Sequence, residues 1–127
     1  MKKGEVIYAR THAEFLNKVF GTNYKAWMKC TWKYDYDTIV WMVRFNEKDG
    51  GWRNTFVSKT RIQEENLEKG RTNWDRALSD LGKKRIVIEI DDEGMFRKYI
   101  FRGIYAYDEK NSDPYTSRYY DQISEVL

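Results

Sequence analysis

Only one cysteine, Cys30, occurs in the 127 residues, so no disulfide can form within the chain and a reducing, cytoplasmic setting is expected. No apolar run approaches the roughly 20 residues that cross a bilayer as a helix, so no membrane association is expected. In "MKKGEVIYAR" the apolar run is very short and bracketed by Glu5 and Arg10, which is not the pattern of a signal peptide. The single histidine, His12, has no second histidine or cysteine at metal-ligand spacing and reads as a surface residue in the first turn of a helix. No glycine-rich loop is present to cradle a phosphate, since "DGG" at 49–51 reads as a hairpin turn. Asp91, Asp92 and Glu93 occupy a hairpin tip, where acidic residues serve as turn formers. The stretch "EIDDEGMFRK" lacks the ordered acids and lysine that a nuclease core places on one strand. These absences exclude the common catalytic and metal chemistries, and neither an enzyme activity nor a metal or cofactor is expected.

Aromatic residues are abundant. Mean hydropathy is low, at −0.85, yet aromatics make up 17% of the chain, with ten tyrosines, six phenylalanines and five tryptophans. Disordered chains are poor in such residues, so this one is expected to fold, as a single domain over residues 1–127 with a core that needs no covalent staples. The formal net charge is only +3, but it is polarised. Seven basic residues face two acidic ones between Met1 and Lys33, against two basic and five acidic between Ile104 and Leu127. Such a chain can present a basic face to phosphates while staying nearly neutral overall.

Periodicity predicts a short strand over Glu5–Arg10 and then a helix in "THAEFLNKVFG". There Thr11 caps, Glu14 completes a capping box, Phe15, Leu16, Val19 and Phe20 form the apolar stripe, and Gly21 ends the helix. "YKAWMKCTWKY" alternates: read as a strand, Met28, Cys30 and Trp32 share an apolar face, while Lys25, Trp27 and Lys29 share a polar one. A strand is favoured from Cys30 onward, residues 24–29 are left open, and Cys30 is expected to be buried and inert. "TIVWMVRF" over Thr38–Phe45 reads as a central strand, with Trp52–Ser58 pairing back on it as a hairpin. "TRIQEENLEKGRT" is polar with a weak helical signal, and a second short helix is predicted in "TNWDRALSDLG". "KRIVIEI" and "MFRKYIFRGIYAYD" form the strongest strand pair, and Gly103 within the second run signals a bulge or bend. The sum is an α+β domain: a curled, mainly antiparallel sheet or small barrel of five to six strands with two short helices.

Several aromatics stand beside cations or amides: Trp27 between Lys25 and Lys29, Trp52 before Arg53 and Asn54, Tyr99 after Lys98, with Arg102 further along the same run. Aromatic faces stack on bases while neighbouring lysines and arginines meet phosphates. "GWRN" places a stacking plane, a phosphate fork and a base-edge reader in consecutive positions, although Trp52 and Asn54 could equally serve to shape the hairpin. The candidate nucleic-acid-binding residues are therefore Lys25, Trp27, Lys29, Trp52, Arg53, Asn54, Lys98, Tyr99 and Arg102.

The order of elements, ending in the run Tyr99, Phe101, Gly103, Ile104, Tyr105, resembles the small PUA-like barrels across roughly residues 5 to 125. That group includes the modified-base readers that stand beside restriction nucleases. The resemblance implies a DNA- or RNA-binding module that takes a modified or flipped base into an aromatic pocket. No nuclease segment accompanies the run, so a freestanding or accessory module is expected. The alternative is a phage-type inhibitor that binds a host defence protein through the same aromatics, since Trp, Tyr and Arg dominate protein interfaces too.

Overall fold

The structure is a computed structural model and describes residues 1–49, 51–68 and 78–127. Among the described residues nine strands and one complete helix follow in chain order: β1 (Val6–Ala9), α1 (His12–Phe20), β2 (Thr31–Asp35), β3 (Thr38–Val43), β4 (Lys48–Asp49), β5 (Trp52–Ser58), β6 (Arg61–Asn66), β7 (Lys84–Glu93), β8 (Phe96–Tyr107) and β9 (Ser117–Ser124). They form one mixed sheet in the order β2-β3-β7-β8-β9-β6-β5-β4, with β1 also paired to β8. All neighbours are antiparallel except β3 and β7. Among the described residues the end strands β2 and β4 do not pair with each other, so the sheet is not closed into a barrel. The molecule is thus mostly β, with more strands than the five to six expected and one described helix. The second helix, expected in "TNWDRALSDLG", lies largely outside the described residues.

The helix forms as its local chemistry dictates. Thr11 Oγ1 accepts from the Glu14 N–H at 3.1 Å, and Gly21 takes the left-handed conformation (φ 70°) that ends it. The Glu14 carboxylate reaches back to the Arg10 N–H at 3.1 Å, one residue before the cap. Ala13, Phe15 and Leu16 are buried against the sheet. His12, expected at the surface, is half-buried, with Nδ1 2.8 Å from the Tyr99 hydroxyl.

The central strands β3, β7 and β8 carry apolar side chains on both faces, which produces two cores. Val40, Met42, Ile86, Ile88, Tyr99 and Phe101 pack under α1. Trp41, Val43, Val87, Tyr105 and Tyr120 pack on the opposite, concave side, where β9, β6 and β5 curl over. Phe101 and Tyr105 are four residues apart on one strand, and strict alternation would put them on the same face. They lie in different cores because the register shifts between Val87 and Ile88, opposite Gly103 and Phe101. Gly103 adopts φ +112°, and a Cβ there would stand 2.8 Å from the Ser124 carbonyl oxygen. The bulge expected at this glycine is therefore what moves Tyr105 off the face that Phe101 occupies.

Three local expectations give way. The polar stretch read as weakly helical contains β6, because its partners β5 and β9 supply a complete antiparallel ladder. Trp52–Ser58 pairs with β4 and β6 rather than with β3. Residues 21–30 are irregular, so alternation does not govern them: Met28 is 92% exposed and Cys30 is exposed. Trp27 and Trp32 are both half-buried against the core under α1. Trp27 is held there by an Nε1–H bond to the Thr31 carbonyl at 3.2 Å.

Candidate nucleic-acid interface

On the concave face the antiparallel register sets Asn54 opposite Glu64 and Glu64 opposite Arg118, a polar row across β5, β6 and β9. Asn54, Glu64 and Arg118 are all buried, as is Arg85 on β7, which β8 separates from β9 in the sheet. Arg118 Nη1 donates to Glu64 Oε1 at 3.2 Å, and the Tyr120 hydroxyl donates to the same oxygen at 3.0 Å. Arg118 Nε is fixed by the Pro114 carbonyl at 2.7 Å. The rings complete the arrangement. The Arg118 guanidinium lies 4.2 Å from the Trp52 ring centre, and that of Arg85 sits 4.7 Å from Trp41 and 4.6 Å from Tyr120. Burial holds the Tyr120 hydroxyl well above its ordinary pKa, so it remains a neutral donor throughout the physiological range.

This cluster borders a cavity of about 460 Å³ whose walls include Lys29, Cys30, Trp41, Glu64, Arg85 and Arg118. The volume falls within the range of small-ligand sites, about 300–1,000 Å³. Among the described residues three buried polar atoms have no hydrogen-bond partner: Arg85 Nε and Arg118 Nη2, on two residues of the cavity wall, and Asn54 Oδ1, on the strand position opposite Glu64. Buried polar groups are almost always paired, and each exception costs about 1–3 kcal/mol. Three exceptions in one polar cluster, with both donors and an acceptor among them, mark a surface that a polar ligand would complete.

Of the residues nominated from sequence, the structure brings Lys29, Trp52 and Asn54 to this end of the concave face. Lys25 is exposed on the irregular 21–30 segment, and Trp27 packs inward below it. Arg53 points to the other side of β5 and lies 3.7 Å from Glu65. Lys98 is tied to Glu93 at 3.0 Å, and Arg102 to Glu89 at 2.7 Å. Tyr99 is fully buried under α1, its ring stacked 4.5 Å from that of Phe15. Sequence reasoning missed Trp41, Glu64, Arg85, Arg118 and Tyr120. The available signal was a charged residue entering each of two apolar strands, Arg85 in "KRIVIEI" and Arg118 before "YY".

The family model for the SET and RING associated (SRA) domain matches residues 1–127. The chain belongs to the SRA domain family. SRA domains read modified cytosine in DNA and take the base out of the helix to do so, which agrees with the resemblance to PUA-like modified-base readers and favours a DNA partner over a protein one. The fold also matches the solved structure of the 5-hydroxymethylcytosine-specific restriction enzyme AbaSI, with a TM-score of 0.67 and 21% identity. That match covers 94% of this chain and 39% of the AbaSI chain, so this SRA domain spans well under half the length of that enzyme. No curated protein matches the sequence. Among the described residues no helix is long and apolar enough to cross a membrane.

Proposed function

We propose that the cavity bordered by Trp41, Glu64, Arg85 and Arg118 receives the flipped modified cytosine. The observation that carries this reading is the set of unpartnered buried atoms at Asn54, Arg85 and Arg118. A cytosine edge presents one donor, the N4 amino group, and two acceptors, N3 and O2. Carboxylates and amide oxygens accept from cytosine N4, which fits Glu64 and Asn54, and the arginine N–H groups suit the two acceptors. The stacked guanidinium and indole planes offer flat surfaces to a planar base. Lys29, exposed at the cavity wall, meets the backbone phosphates.

In this reading the domain binds and does not catalyse, and it works in the cytoplasm. The base it takes is a 5-substituted cytosine, a class that includes the 5-hydroxymethylcytosine named for AbaSI. The test is titration of duplexes that differ only in one cytosine: unmodified, 5-methylated or 5-hydroxymethylated. A 2-aminopurine beside that position reports unstacking. Tighter binding of one modified duplex with a rise in fluorescence supports the reading. Equal affinity for all three, with no fluorescence change, contradicts it.

A further inference from the structure

We propose that a second cleft, at the other end of the concave face, binds the terminal phosphate of a nucleotide. Lys3, Phe56, Ser58, Lys59 and Arg102 line a space of about 420 Å³. It lies at the β5–β6 hairpin tip, and Ser58 stands four residues beyond Asn54, roughly 13 Å along the strand. The cleft is therefore separate from the base cavity.

Its charge selects the ligand class. Arg102 Nε is satisfied by Glu89 at 2.7 Å, and that pair is nearly neutral as a unit. Lys3 and Lys59 have no carboxylate partner among the described residues. Lys3 Nζ donates instead to the Gln122 Oε1 at 2.6 Å and the Lys59 carbonyl at 3.1 Å. Two uncancelled ammonium charges match a phosphate monoester, which carries about −1.5 to −2 near pH 7. A backbone diester carries only a single charge.

The cleft is also built rather than merely basic. Phe56 forms its flat wall and is itself backed by Phe45, ring centres 4.2 Å apart, which gives a sugar or base a rigid apolar plane. Lys3 is held in place by Gln122, whose Oε1 also lies 3.5 Å from the Tyr105 hydroxyl. A Cβ at Gly103 would stand 3.0 Å from that same Gln122 oxygen, so the bulge glycine leaves room for the group that aims Lys3. A pre-oriented ammonium loses less side-chain freedom on binding. The ligand is thus a nucleotide phosphomonoester, either a free mononucleotide or a phosphorylated DNA 5′ end.

The experiment is calorimetric titration of the whole chain with adenosine 5′-monophosphate and with adenosine. The nucleotide should bind, and removing its phosphate should weaken binding by about tenfold or more, the loss of a charge-assisted contact. The double variant Lys3→Ala, Lys59→Ala should weaken nucleotide binding by a similar factor of about ten. It should leave discrimination between modified and unmodified duplexes intact. Glu64→Gln should leave nucleotide binding unchanged. Displacement of the nucleotide by a 5′-phosphorylated duplex, but not by its 5′-hydroxyl twin, assigns the site to DNA ends; displacement by neither assigns it to the free nucleotide. The proposal is overturned if the nucleotide does not bind, if adenosine binds equally well, or if the lysine variants have no effect. It is also overturned if Glu64→Gln abolishes binding, because the ligand would then be entering the base cavity. Modified-duplex binding by the unaltered chain, measured alongside, separates failure of this site from failure of the base cavity.

Discussion

The two faces of the β3-β7-β8 sheet are built from the same three strands and differ in one respect. Under α1 the buried side chains among the described residues are apolar or, like Tyr99 with His12, paired. On the concave side the apolar layer gives way at one end to Asn54, Glu64, Arg85 and Arg118, with three polar atoms unpartnered among the described residues. The first face stabilises the fold. The second holds polar groups whose burial opposes folding, and a fold keeps such a cluster where a ligand uses it.

Substitutions should separate the faces, and the largest effect belongs to the closed one. Phe15→Ala removes a fully buried ring stacked on Tyr99 and should cost about 3–5 kcal/mol in a denaturant melt. DNA affinity per folded molecule should stay unchanged, and a parallel loss of affinity would join the faces the account keeps apart. Gly103→Ala strikes the hinge between them. A Cβ there meets the Ser124 carbonyl at 2.8 Å in a backbone conformation that side chains rarely adopt, so a loss of about 1–3 kcal/mol or more is expected. A neutral result would mean that the bulge does not set the strand's change of face.

Asn54→Leu tests the open face with a smaller and opposite change. Because Asn54 Oδ1 has no partner among the described residues, the substitution should leave stability within about 1 kcal/mol or raise it. Modified-duplex binding should nonetheless weaken, and a variant that is both destabilised and fully competent would show that Asn54 is structural. The mildest probe is chemical. Cys30, exposed and in the cavity wall, should react with a thiol reagent at a rate near that of the unfolded chain, and a modified duplex should slow it. Slow labelling of the native chain would contradict the exposure of this wall.

Legibility in the sequence followed the same division. The closed face was readable because its signals are local: the Thr11–Glu14 cap, the α1 stripe, the alternation of β7 and β8, and the glycine that interrupts it. The open face was obscured by its own chemistry. In β6 the inward position between Ile62 and Asn66 is Glu64, so the strand lost the apolar alternation that would have betrayed it and read as a weak helix. Asn54 and Trp52 were nominated from "GWRN", but Arg118 and Glu64 come from strands distant in sequence, and only the register brings them together. In "YKAWMKCTWKY" the error ran the other way. The strand favoured from Cys30 onward is there as β2, Thr31–Asp35, but the alternation carried back into the irregular segment before it placed Cys30 and Met28 inside.

If the buried polar row reads the base, Glu64→Gln alters that reading without removing the row. The glutamine can keep an oxygen for Arg118 and Tyr120, while the second carboxylate oxygen becomes an amide donor that opposes cytosine N4. The measurement is the ratio of affinities for a modified and an unmodified duplex at fixed salt, for the unaltered chain and for the variant. Cytosine N4 is the same with or without a 5-substituent, so the contact counts only for a base that enters the cavity. The ratio should therefore fall by about 10–100-fold, the worth of one good base contact, while affinity for unmodified DNA, whose cytosine stays in the helix, and its salt dependence stay the same. An unchanged ratio in a folded Glu64→Gln chain would place base reading elsewhere on the molecule.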